Sequence, residues 1–142
     1  MSDCSAHRVP RAGLDPIDGP AAALAIIRLA VRSPSRSETI VLLLDHDRRG
    51  LGVTVVSDTD RPDDVVEVVE CIAHAAAGTG RVGAMVVTSV RPGAPAPDPD
   101  DPDRWLEMSD LADAAGVELV EWFVIGRDTV CPRDLLGAMP RW

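Results

Sequence analysis

The sequence predicts a single α+β domain, built as a mixed β-sheet flanked by helices. Three observations lead there. The chain has 142 residues, of which 46% are hydrophobic, which suits one domain with a buried core. Continuous apolar, β-branched runs at residues 39–44, 82–87 and 117–125 read as buried strands. Between them, apolar residues recur at helical spacing, and the first strand is followed at once by a turn and a returning strand.

Residues 1–19 mix Pro, Gly, Asp and Arg without periodicity and read as a mobile tail, leaving residues 20–142 as the domain. The tail lacks the apolar core of a signal peptide. Pro20 opens a helix over residues 21–31, with Leu24, Ile27, Leu29 and Val31 in it, and Ser33-Pro34-Ser35 ends it. The strand at residues 39–44 turns through residues 45–50 and returns at residues 51–56 as a hairpin. Asp60-Arg61-Pro62 then leads into a helix that carries Val65, Val68, Val69, Ile72 and Ala76. Asp63 and Asp64 suit its positive end, and Gly78 and Gly80 stop it.

The strand at residues 82–87 arrives at Thr88. Residues 91–103 follow, with prolines spaced through acidic residues, a composition that favours extended backbone and forbids a strand interior. Asp101 reads as a helix cap with Pro102 at the first position, and that helix runs to about Ala115 before Gly116. After the strand at residues 117–125, Gly126-Arg127-Asp128 turns the chain into a short strand, Thr129-Val130. A helical turn at residues 133–136 completes the domain.

Charge and composition narrow the function. A net charge of −9 and scattered arginines argue against a nucleic-acid partner, whose phosphates demand basic neutralisation. No apolar stretch reaches the ~20 residues of a membrane span. All 14 basic residues are arginine, so no lysine is present to act as Schiff base or general base. Cys4, Cys71 and Cys131 are too few and too dispersed for a disulfide scaffold or a Cys-x-x-Cys zinc knuckle, which points to a cytoplasmic protein with reduced thiols.

Other chemistry-bearing residues have plain readings beside functional ones. His46 lies in the turn after the first strand. Glu70 and His74 are adjacent on a helix face with Glu67 and Cys71, but His-Glu-x-x-His is absent, so this is a solvated face rather than a zinc helix. Cys71 reads as half-buried and Cys131 as a small apolar filler. Trp105 and Trp122 read as core or rim aromatics, whereas Trp142 is placed to dock on a partner or on the sheet.

The stretch from Ala84 to Gly126 has a more specific order. An apolar strand runs into Thr88-Ser89-Val90-Arg91-Pro92-Gly93, then come an acidic loop, a helix with Asp101 at its start, Gly116, and an apolar strand ending in Val124-Ile125-Gly126. This resembles the JAB/MPN metalloprotease-like domain, RadC branch, whose pattern is His-x-His-Pro-Ser-Gly, a loop, Ser-x-x-Asp, a helix, Gly-Ile, and a strand closing on Ile-Ile-Gly. The resemblance covers about residues 38–136 and implies a JAB/MPN-like (cytidine deaminase-like) architecture. In the family, two histidines and the aspartate hold zinc, and a glutamate near the first strand activates water. Laid on the family glycines without a gap, Thr88 and Val90 stand at the histidine positions and Asp101 at the ligand aspartate. The family proline becomes Arg91 and the family serine becomes Asp98. Glu38 is the nearest match to the glutamate, and otherwise reads as a solvated strand-entry residue.

A zinc site needs three good donors, and Thr88 and Val90 supply none. The resemblance therefore implies a metal-free, catalytically inactive member that binds or scaffolds protein, by self-association or with another chain. Arg91 is placed to pair with Asp98, Asp100 or Asp101 and to fill the space of the cation. The acidic loop and the sheet edges are the candidate partner surfaces. The alternative is a hydrolase, either with a rebuilt zinc site or of another kind. Residues 40–47 also resemble the first motif of haloacid-dehalogenase-type phosphatases, with Asp45 and Asp47 as nucleophile and acid and Thr88 or Ser89 in the second motif. That reading competes with a plain acidic turn, and Arg91 would have to replace the usual lysine. The RadC branch has an association with DNA repair, but no helix-hairpin-helix segment is present.

Overall fold

A computed structural model describes residues 9–94 and 98–142, which form a single small α+β domain. Its elements in chain order are α1 (Pro20–Ala30), β1 (Glu38–Leu44), β2 (Gly50–Ser57), α2 (Asp64–Ala77), β3 (Ala84–Val90), α3 (Asp101–Ala114), β4 (Glu118–Ile125), β5 (Thr129–Val130) and α4 (Pro132–Leu135). The five strands make one sheet in the order β2-β1-β3-β4-β5. β1 is antiparallel to both β2 and β3, β3 and β4 are parallel, and β5 returns antiparallel to β4. The parallel pair requires a crossover, and α3 supplies it.

Two apolar clusters lie on opposite faces of the sheet. On one face Ala23 and Ile27 of α1, with Ile17, cover Ile40, Leu42, Val86, Val90 and Phe123. On the other, α2 and α3 bring Val65, Val69, Trp105 and Met108 onto Val41, Val87 and Trp122. The central strands therefore bury both faces, and β1 and β3 are each apolar at five of seven positions for that reason. Trp105 and Trp122 are both core residues, 1% and 0% exposed. Trp142 packs at the rim of the α1-side cluster, so it docks on its own sheet.

Several boundaries differ from those the sequence predicts. β3 continues through Thr88, Ser89 and Val90, because Glu38 to Ile40 on one side and Phe123 to Ile125 on the other extend its ladder. α2 begins only at Asp64, after a turn in which Asp64 N–H bonds Arg61 C=O at 3.0 Å. The expected tail is not free over its second half. Ile17 is fully buried, its N–H bonds Arg48 C=O at 2.7 Å, and Gly13 N–H bonds Gly50 C=O at 3.1 Å. One isoleucine among turn-forming residues gives no periodic signal, yet it is enough to pin the segment. The first eight residues lie outside the described ones.

The two glycines that close the α3–β4 segment have local steric reasons. Gly116 follows α3 with φ at +78°, the left-handed conformation that ends a helix cheaply only without a side chain. At Gly126 a Cβ would meet Ala94 C=O at 2.7 Å, so the backbones can approach only because no side chain intervenes.

Candidate functional site

Arg91 leaves β3 with its N–H bonded to Ile125 C=O at 2.7 Å, which fixes its backbone beside the end of β4. Facing it, the chain turns into α3 through Asp98, whose C=O accepts the Asp101 N–H at 3.0 Å. Pro102 fits this first turn, where its missing N–H has no helical partner. These two fixed segments bring Arg91 and Asp101 together. Nη1 of Arg91 bonds Oδ2 of Asp101 at 2.6 Å and Nη2 bonds Oδ1 at 3.0 Å. Arg104, one helical turn on, donates Nη1 to Oδ1 of Asp101 at 2.9 Å, and the Asp98 N–H donates to Oδ2 at 3.0 Å.

Asp101 is therefore not the expected cap. It is the first residue of α3, wholly buried, and its carboxylate turns back toward two guanidiniums. Of the three carboxylates open to Arg91 by sequence, it bonds Asp101. Asp98 bonds Arg104 at 3.0 Å and accepts the Asp100 N–H at 3.0 Å, while Asp100 stays exposed. Arg104 also reaches Asp63, before α2, at 2.8 Å, and so ties α2 to α3. Arg91 lies over the Trp122 ring, 5.7 Å from its centroid.

Charge is settled in this cluster by hydrogen bonding. Burial pushes the Arg104 guanidinium toward its neutral form, but bonds from Asp63, Asp98 and Asp101 outweigh it and raise its pKa. The Asp98 carboxyl is held below its usual value by the Asp100 N–H first and by Arg104 second. With two guanidiniums and one backbone N–H on Asp101, both of its oxygens are committed. Such a carboxylate acts as a strut rather than as a ligand or base.

The sheet separates the other expected positions from Asp101. Side chains alternate across a strand. Val90 belongs to the α1-side cluster, and Thr88 pairs across the ladder with Ile40 of that same cluster. Ser89 points the other way, where its Oγ accepts the Trp122 indole N–H at 3.0 Å. The residues that share a face with Asp101 are thus Ser89 and Arg91, one position along from Thr88 and Val90. Glu38 pairs across the ladder with Val90, on the α1 side. It is not solvated as expected but 1% exposed, bonded to Arg32 at 3.2 Å, because β2 and residues before β1 close over it. Oε1 of Glu38 and Oγ1 of Thr88 are buried without a hydrogen-bond partner.

These side chains do not fit a zinc ion. Asp101 is saturated, Val90 has no donor atom, and Glu38 and Thr88 lie across the sheet. No group of three His, Cys, Asp or Glu residues able to hold a metal occurs among the described residues. His46 and His74 are exposed on different elements, the former bonded through Nε2 to Gly80 C=O at 3.2 Å.

Asp45 serves the hairpin. Its Oδ1 accepts the N–H groups of Asp47 and Arg49, both at 2.9 Å, and the Arg49 bond is the main cause of its lowered pKa. β2 follows directly, so the turn does not lead into the helical crossover a phosphatase of that type needs. Cys71, expected half-buried, is exposed, since α2 turns that side of the helix outward. Cys131 is half-buried, and burial, then the nearby Glu121, push its thiol up to about 12.

Sequence reasoning missed two arginine hubs. Asp101 and Arg104 are three apart, a helical-neighbour spacing that was a usable signal. Arg133 of α4 grips the buried Glu121 of β4 through Nε at 3.0 Å and Nη2 at 2.8 Å, and no spacing announces that pair. Arg141 bonds Leu119 C=O at 2.8 Å and lies 4.7 Å from the centre of the Trp105 ring, anchoring the end of the described chain.

Beside Arg91 is a shallow cavity of about 210 Å³ lined by Ser37, Thr59, Asp60, Arg61 and Pro62. A larger one of about 390 Å³ lies between β2 and α2, with Val56, Val68 and Ile72 in its wall. No family model matches the chain, and no curated protein matches it.

Proposed function

We propose that this chain is a metal-free, catalytically inactive domain of the RadC-like JAB/MPN kind, and that it works by binding protein. The observation that carries this reading is the Arg91–Asp101 pair. At the start of α3, where the resemblance puts the ligand aspartate, a guanidinium takes both carboxylate oxygens and a second guanidinium shares one of them. Two fixed positive charges there do what a cation would do for the carboxylate, without an open position for water or substrate. Support for the fold comes from the mixed five-stranded sheet flanked by helices that the resemblance implies.

Hydrolysis of a model isopeptide and of an aryl phosphate tests the inactive half of the proposal. Wild-type protein is expected at the uncatalysed rate on both. Turnover above that rate, lost in Asp101→Asn or in Asp45→Asn, would overturn it in favour of a peptidase or a phosphatase respectively.

A further inference from the structure

The two ends of the sheet are finished differently. At one, β5 is a strand of two residues, a short edge that offers little to pair with. At the other, β2 is eight residues long, and its sequence Gly-Leu-Gly-Val-Thr-Val-Val-Ser has no proline and no charge. Its start is covered: Gly13 N–H bonds Gly50 C=O, Pro16 bridges Arg49, and Val9 to Ala12 line a cavity with Gly52 and Val53. Among the described residues no other strand lies beside β2 and no backbone bond outside the sheet ladders involves residues 51–57. An uncharged open edge of this length is a template for another strand.

The edge is complementary to itself. The open stretch, residues 51–57, has Thr54 at its midpoint. Run antiparallel against its own copy about Thr54, Thr54 meets Thr54, Val53 meets Val55, and Gly52 meets Val56. Val53 and Val55 are 40% and 38% exposed and lie on the α1 side, so each would cover the other's copy. Gly52 has open space where a side chain would be, which leaves room for Val56 of the second copy.

Charged side chains also lie at both ends of the open edge. Arg11 and Arg49, both more than two-fifths exposed, flank the covered end, where each holds a surface pair within its own chain, Arg11 with Asp15 at 3.0 Å and Arg49 with Asp47 at 3.4 Å. Asp58 and Asp60, both exposed, flank the other. Antiparallel pairing brings these arginines beside Asp58 and Asp60 of the second copy, twice by symmetry, so that their weak surface pairs can exchange partners across the axis. We infer that the open edge of β2 pairs antiparallel with β2 of a second copy about a twofold axis at Thr54, joining two sheets into one. This names the partner within the protein-binding reading and rests on it.

Sedimentation equilibrium of the full chain at about 0.15 M salt, from about 5 to 200 µM, tests the inference; we expect dimerisation with Kd on the order of 10 µM. Val53→Lys/Val55→Lys sets lysine against lysine across the axis and should weaken the dimer at least tenfold. If that variant does not fold, charge exchange provides the same decision. Asp58→Arg/Asp60→Arg and Arg11→Asp/Arg49→Asp should each dimerise poorly alone and form a mixed dimer together. A wild-type chain that is monomeric throughout, a dimer indifferent to these changes, or a monomer that pairs β2 only with a strand of another protein would overturn the inference. The first and last outcomes leave the metal-free binding reading standing, whereas bound zinc in a β2-paired dimer would remove that reading alone.

Discussion

Arg91 holds the fully buried Asp101 by both oxygens, at 2.6 and 3.0 Å. The pair joins the end of β3 to the start of α3, and Arg104 extends it to Asp63 before α2. One carboxylate thus fixes three elements at the same end of the sheet. A buried ion pair adds little net stability compared with a well-packed apolar pair, but losing one partner strands a charge in the interior.

Arg91→Ala should therefore destabilise the fold by about 3 kcal/mol and lower Tm by roughly 10 °C, because Arg104 alone remains to neutralise Asp101. Asp101→Ala should cost more, since two guanidiniums then lose their shared acceptor. Thermal and urea unfolding measure both. An Arg91→Ala protein that melts with the wild type would mean the pair does not hold these elements together.

Thr88→Val should stabilise the protein. The Thr88 hydroxyl is buried without a partner, and valine has the same shape without the group that must be desolvated. A gain of about 1 kcal/mol is expected in urea unfolding. A loss of similar size would show that the hydroxyl is bound to something it needs.

The cysteines should separate by reactivity. Cys71 is exposed and should alkylate in the native protein at pH 8. The Cys131 thiol, pushed up to about 12 by burial, should react slowly. The rate should be on the order of a thousandfold below that of the same thiol in denaturant. Peptide mapping after timed iodoacetamide treatment reads the two sites, and equal native rates would contradict the packing of β5 and α4.

Acid should unfold the protein partly through Asp98. Its folded-state pKa is depressed, so its stabilising effect is complete above the ordinary aspartate value of about 3.9 and is lost as pH falls through the folded value. Tm should be level from neutral pH down to about 5 and decline below about 4, and Asp98→Asn should make that decline shallower. A wild-type curve unchanged by the substitution would show that Asp98 is not linked to folding.

Much of the fold was legible because its signals are local. The apolar runs of β1 and β4, the Asp45 turn and the stop at Gly116 each carry their own physical reason. The site was less legible because its pairs are distant or depend on register. Asp98, Asp100 and Asp101 offer Arg91 the same chemistry, and only the course of the chain into α3 selects Asp101. Thr88 and Ser89 are one residue apart in sequence but lie on opposite faces of the sheet. The burial of Glu38 is not legible locally because it comes from β2 and Arg32, neither visible in its immediate neighbours. Glu121 and Arg133 are twelve residues apart, with no periodic relation, and meet only when β5 turns the chain back.

With Arg91 and Arg104 on its carboxylate, Asp101 is left no open position for a metal ion. Elemental analysis of untagged protein tests it most directly, on samples as purified, after chelator dialysis, and after zinc reloading. Less than about 0.1 zinc per chain is expected in all three. One zinc per chain, removed by chelator and restored on reloading, would contradict it.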